Sequence, residues 1–203
     1  MKKLVAVALI ALFGISCSNN TPANESEKAV LFQKNMNKEF SDSDTSPLPK
    51  DALKKFKELD FFPITEDFVL EGKLVRTPDE KPFEMPTTTS RRPTYKKFGE
   101  VSFTLSGKEF KVDVFQDLTL QGKPEYANRL FLPFTDLTSG VTTYGGGRYL
   151  DLEIPEGDTI TLNFNLAYNP YCVYNPKFSC PIPPEQNFIN ADINAGVKDY
   201  KYE

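Results

Sequence analysis

The sequence predicts a mainly β protein, an antiparallel sandwich or partly open barrel with two short helices at its N-terminal end. From residue 66 onward, apolar residues recur at every second position, the period of a half-buried strand. Turn residues such as "SG", "DLTSG" and "PEGD" punctuate these runs at short intervals, as sandwiches and barrels require. Stretches with helical period lie upstream of residue 66.

In "NESEKAVLFQKNMNKEF", Asn24 is placed to cap a helix, with Glu27 three residues on. Ala29, Phe32, Met36 and Phe40 then form a narrow stripe, so this helix packs on the domain without forming its centre. After the polar "SDSDT", Ser46 with Pro47 or Pro49 opens a second helix. Leu53, Phe56 and Leu59 share one of its faces and Pro63 ends it. "DFVLEGKLVR" reads as the first strand and "TPDEKPFEMPTTTSRRP" as a loop. "GEVSFTLSGKEFKVDVFQD" is a hairpin that turns at Ser106-Gly107, with Val101, Phe103 and Leu105 answered by Phe110, Val112 and Val114. "RLFLPF", "GRYLDLEI" and "TITLNFNLA" supply three further strands.

The N-terminus "MKKLVAVALIALFGISCSNN" has two lysines and then an apolar run from Leu4 to Ile15, the length of a signal-peptide core and short of the ~20 residues of a membrane-spanning helix. Its approach to Cys17 resembles the lipobox of bacterial lipoproteins, with Gly14 where a leucine is usual. The plain alternative is a secretory signal followed by an incidental cysteine. The expected organisation is a signal peptide over 1–16, a lipidated Cys17 with a flexible polar tether over 17–28, and one β-rich domain over 29–203. Acylation at Cys17 would make the membrane a partner. Ser18 lacks the aspartate that often signals inner-membrane retention, which favours an outer-membrane lipoprotein facing the periplasm or the surface.

Removing Lys2 and Lys3 from the 24 basic residues leaves 22 against 28 acidic ones, a net charge of −6. No basic run interleaves with aromatics, which argues against a nucleic-acid partner. The chain has no histidine, so it lacks the usual general base near neutral pH, the usual zinc ligand and any Ser-His or Cys-His nucleophile pair. No metal or cofactor is expected.

Candidate chemistry gathers in the second half. In "RYLDLEI", Arg148 shares a face with Leu150, Leu152 and Ile154, opposite Tyr149, Asp151 and Glu153. An inward arginine needs its fork satisfied. Asp136 or carbonyls of the proline-rich loop are expected partners if Arg148 is a structural clamp; an anionic ligand is the partner if it faces a pocket. The glycines of "TYGGGRY" run into a strand with no Lys-Ser or Lys-Thr after them, which suits a tight bend and not a nucleotide loop. Asn163 and Asn165 share one strand face and suit either anchoring of the next loop or recognition of a hydroxylated ligand. Cys172 and Cys180 remain once Cys17 is assigned to lipid, and an even pair in an exported chain predicts a disulfide. Tyr144, Tyr168, Tyr171 and Tyr174 either pack on the prolines or line a cleft.

The motifs "TYGGGRYLD" and "AYNPYCVYNPKFSCPIPPEQN", with "AGVK" near the end, resemble the bacterial domain-of-unknown-function family 1684, and the similarity covers about residues 27–200. The resemblance supplies a grouping and no mechanism. Relatives usually have Asp-Phe-Asn where this chain has Asn163-Phe164-Asn165, and Ala-Gly-Glu-Lys where it has Val197. If those acids form a catalytic pair in relatives, this chain has lost both; if they are structural, Asn163 and Val197 re-pack the site.

Two functions follow. The favoured one is a non-catalytic, lipid-anchored envelope protein, structural or binding a small polar, anionic or sugar-like ligand through Arg148, Tyr144, Asn163, Asn165, Asp136 and Tyr168. The alternative is a histidine-independent hydrolase of envelope material, using carboxylates such as Asp136 and Asp151 with Arg148 as clamp.

Overall fold

In a computed structural model describing residues 24–120 and 122–201, six strands follow the order β6-β5-β4-β3-β1-β7. They are β1 (Val69–Arg76), β3 (Thr94–Leu105), β4 (Lys108–Asp117), β5 (Arg129–Asp136), β6 (Arg148–Glu153) and β7 (Thr159–Asn163), all paired antiparallel. Two short strands join from the side: β2 (Phe83–Glu84) on β3, and β8 (Phe188–Ile189), parallel to β5. Just past β7, Tyr168 exchanges both backbone hydrogen bonds with Tyr149 of β6, at 2.9 and 3.0 Å. This bridge draws the two ends of the strand order together and curls the sheet into a half-barrel. Of the two forms expected, the open barrel is the one seen; the strands make one curled sheet in place of a sandwich.

Alternation sets the two faces. Val101, Phe103 and Leu105 of β3, Val112 and Val114 of β4, Leu130, Leu132 and Phe134 of β5, and Leu150 and Leu152 of β6 all point inward as one core. The β3–β4 hairpin turns at Ser106-Gly107 as the sequence predicts. β3 begins five residues earlier than the hairpin read from sequence, and a bulge between Lys97 and Gly99 lets this extra length keep pairing with β4.

Helix α1 (Glu25–Ser41) is capped by Asn24, whose side chain accepts from the Ser26 N–H. Its first turn therefore occupies the end of the segment assigned to the tether. Helix α2 (Lys50–Leu53) is a single turn, shorter than the sequence suggests. The following "KKFKELD" offers no further cap, and one turn gains little against the cost of nucleation. Leu59 is buried all the same from an extended segment, its N–H held by Asn37 Oδ1 at 2.7 Å. Met36, Phe40, Leu48, Leu59, Val173, Tyr174 and Val197 make a second core that seats α1 on the domain. The leader, Cys17 and most of the tether lie outside the described residues. Among those described, no helix is long and apolar enough to cross a membrane.

Candidate functional site

On the inner face of β6, Arg148 is fully buried. Gly147 before it has φ +87°, and a Cβ there would lie 2.4 Å from the Phe134 carbonyl, so the turn into β6 requires glycine. The guanidinium donates through Nη2 to Asp136 Oδ2 at 3.0 Å and to the Ile193 carbonyl at 2.9 Å. Through Nη1 it donates to the Ala195 and Val197 carbonyls. Asp136 Oδ1 accepts in turn from the Thr138 N–H and hydroxyl. Gly196, at φ +73°, lets the C-terminal segment approach closely enough to present those carbonyls, since a Cβ would lie 2.6 Å from the Ala167 carbonyl. Burial lowers the Arg148 pKa and Asp136 pulls it back up. The carbonyl partners come from residues 193–197; the proline-rich loop expected from sequence contributes none. Arg148 and Asp136 are both sealed, so neither meets a ligand.

The asparagines also hold backbone. Asn163 Nδ2 donates to the carbonyl and carboxylate of Glu25, at 3.0 and 3.1 Å, fixing the first turn of α1. Its Oδ1 accepts from the N–H and side-chain amide of Asn165. Asn165 in turn pairs with both backbone groups of Thr65, at 3.1 and 2.8 Å. Both asparagines are buried, and β7 ends at Asn163 because its side chain caps a 3-10 turn over Phe164–Leu166. They thus anchor α1 and the approach to β1, where the sequence reading has them anchoring the proline-rich loop. That task falls to Asn169, which donates to the Lys198 carbonyl, and to Asn187, which joins the carbonyls of Asp113 and Pro133. Tyr144 is half-buried against the α1 core and lies outside the cleft described next. Val197 is buried in that same core.

The outer face of the same strands carries the open cavity. Tyr95 of β3, Asp117 of β4, Arg129 and Phe131 of β5, and Tyr149 and Asp151 of β6 line a cleft of about 450 Å³. The register explains the grouping: Tyr95 is opposite Asp117, Phe131 opposite Asp151, and Arg129 is one outer-face position along from Phe131. Phe32, Met36 and Glu39 of α1 form one wall, and Tyr168, Tyr171 and Phe178–Pro181 of the proline-rich stretch another. The rings interlock edge to face, Phe131 with Tyr149 at 4.8 Å and Tyr149 with Tyr168 at 5.7 Å. Of the ligand candidates read from sequence, Tyr168 alone lines this cleft. Asp151, the other carboxylate of the hydrolase reading, lines it too, on the opposite face of β6 from Arg148 and Asp136.

Burial raises the Asp151 pKa, opposed by Arg129, whose Nη1 is 3.4 Å from Asp151 Oδ2, and by a hydrogen bond from the Tyr168 hydroxyl. Burial, then the hydrogen-bonded carboxylate, raises the pKa of Tyr95 beside Asp117, of Tyr168 beside Asp151 and of Tyr171 beside Glu39. These phenols stay protonated donors at every physiological pH.

Cys172 and Cys180 are free thiols where the sequence reading expects a disulfide. The Cys172 N–H donates to Cys180 Sγ at 3.1 Å, and the sulfurs meet through a hydrogen bond in place of a covalent one. That bond from Cys180, helped by Thr88 and the N–H groups of Cys172 and Val173, lowers the Cys172 pKa to about 7 against the effect of burial. The same bond raises that of Cys180. Cys180 lines the cleft.

Sequence reasoning missed Glu39, Tyr95, Asp117, Arg129 and Phe131 as cleft residues. The available signal was the outward parity of Phe131 and Tyr149, two aromatics on neighbouring strands where a solvated face would carry polar side chains. The family described as "Protein of unknown function (DUF1684)" matches residues 54–198. The solution NMR structure of an uncharacterized protein from Haloarcula marismortui is 32% identical, with a TM-score of 0.66 over 84% of this chain and 92% of that one. No curated protein matches.

Proposed function

We infer that this chain, which belongs to the DUF1684 family, is a non-catalytic binding protein of the cell envelope whose site is the aromatic cleft on the outer face of β3–β6. The observation that carries this reading is the cleft itself. A 450 Å³ cavity, within the ~300–1,000 Å³ of ordinary ligand pockets, is lined by aromatic rings and a few convergent polar groups. The leader pattern supports an anchor at Cys17 and an outer-membrane location, with the tether leading directly into α1, which forms a wall of the cleft.

The ligand is small, with a ring or apolar body that stacks on the tyrosines. An anion held by Arg148 is no longer part of the reading, because that guanidinium is wholly buried, with both terminal nitrogens bonded inside the core. The hydrolase alternative loses its clamp for the same reason: it needs Arg148 and a carboxylate together in an open pocket, and Arg148 shares a sealed site with Asp136.

A thermal-shift screen tests the site. Compounds that raise the melting temperature of the wild type and leave Glu39→Trp, which pushes an indole into the cleft, unmoved support the reading. Hits that stabilise both proteins equally would place binding elsewhere. The anchor is tested separately by Cys17→Ser: membrane-bound wild type and released variant are expected, and a variant that stays in the membrane fraction contradicts lipidation.

A further inference from the structure

Resting on the reading of the cleft as a ligand site, we propose that its ligand is an organic cation, an ammonium-type group carried on a small apolar or aromatic body. Tyr171 donates its hydroxyl to Glu39 at 2.5 Å. Asp117 stands opposite Tyr95 in the β3–β4 register and Asp151 beside Tyr168, each carboxylate raising its neighbour's phenol pKa. The Tyr149 hydroxyl donates to the Pro181 carbonyl. These four phenols therefore present rings to the cavity with a protein acceptor beside each hydroxyl, and Tyr126 adds a fifth ring.

The carboxylates are differently placed. Each has two oxygens and about four lone-pair directions. Beside its tyrosine, Asp117 accepts from the Thr119 N–H and hydroxyl and Asp151 pairs with Arg129, while Glu39 meets Tyr171, so each keeps acceptor capacity and Glu39 the most. The cavity is consequently richer in acceptors and ring faces than in side-chain donors, which come chiefly from Arg129 and the Tyr126 hydroxyl. Glu39, Asp117 and Asp151 stand against Arg129 alone among the charged residues lining it, an excess of two negative charges. An anion would meet repulsion and few donors. A neutral sugar would find acceptors for its hydroxyl protons and little for its oxygens. A cation with an apolar body satisfies both features at once, since ring faces and carboxylates attract it together.

The protein's own side chains display the same recognition at the rim. The Arg129 guanidinium lies 5.0 Å from the centre of the Tyr126 ring while pairing with Asp151 at 3.4 Å. Arg129 does not fully compensate Asp151, whose pKa stays raised by burial despite the arginine and the Tyr168 hydroxyl. A second cation delivered by a ligand would stabilise that carboxylate further. Binding should then strengthen as pH rises through the Asp151 pKa and weaken as pH falls below it.

The test is calorimetric titration of the full chain with four probes: benzyltrimethylammonium, the neutral benzyl alcohol, the anion phenylacetate and methyl glucoside. The expected result is binding of benzyltrimethylammonium at least tenfold tighter than any other probe. Asp151→Asn and the cleft-wall variant Glu39→Gln should each weaken it about tenfold, the scale of one charge-assisted contact. Both variants are judged at unchanged melting temperature, and the Glu39 variant keeps the test decisive if Asp151→Asn folds poorly. Equal or tighter binding of the alcohol, the anion or the glucoside would overturn the cationic class and leave the cleft as a site. Binding of none of the four would overturn the class together with the reading beneath it.

Discussion

Arg148 and Asp151 sit three residues apart on β6, and each belongs to an ion pair, yet one pair builds the fold and the other faces a cavity. The difference is strand parity. Arg148 points inward with Leu150 and Leu152, where three backbone carbonyls and Asp136 hold its two terminal nitrogens. Asp151 points outward with Tyr149, where its side chain remains 35% exposed and Arg129 reaches it at 3.4 Å. Two pairs of the same charges are thus separated by the thickness of one sheet. A buried charged group whose ends are held by protein, as both terminal nitrogens of Arg148 are, is a clamp; one with lone pairs left over beside open space is available to a ligand.

The sharpest way to break that contrast is to remove the inner pair's cation. Arg148→Met leaves Asp136 buried without its counter-charge and strips donors from the carbonyls of residues 193–197. It should cost about 3–5 kcal/mol in urea denaturation. Adding Asp136→Leu should recover part of that loss, because the stranded carboxylate goes with it. A loss below about 1 kcal/mol, the scale of an exposed pair, would mean the inner pair is no clamp.

The next effect concerns how α1 is held as a wall of the cleft. Asn163 donates to the Glu25 carboxylate at 3.1 Å, a contact that an aspartate at this position could make only if protonated. Asn163→Asp should therefore loosen α1 by about 1–3 kcal/mol, read as faster amide hydrogen exchange over Glu25–Ser41. Glu25→Gln in the same background should restore protection. Unchanged exchange would show that the apolar stripe alone seats the helix.

How much of this was legible follows from whether the deciding contact is local. The period-two runs marked the strands and the inward row, and placed Arg148 in that row. Its partners at residues 193–197 were not legible, since nothing near β6 in the chain points to them. Outward parity marked Tyr149 and Asp151 as the opposite face, but a strand pattern does not say whether water, a helix or a proline-rich segment covers it. Asn163 and Asn165 read correctly as anchors in kind and wrongly in target, because their partners Glu25 and Thr65 are far along the chain. The second helix is present but stops early for a local reason, as the rest of its apolar face is buried just as well without helix.

The smallest effect lies at the cleft wall. Reduced protein should alkylate first at Cys172, with a rate that rises through a midpoint at about pH 7 while Cys180 lags. Equal rates at the two thiols would mean that the hydrogen bond between them does not polarise Cys172.

The most direct measurement of the central claim is a titration of the isotope-labelled full chain with benzyltrimethylammonium, read by amide chemical shifts. The account predicts shifts along Phe131, Tyr149 to Asp151, and the stretch from Tyr168 to Cys180, with Asp136 and residues 193–197 unmoved. Shifts confined to Asp136 and residues 193–197 would contradict it, returning the site to Arg148.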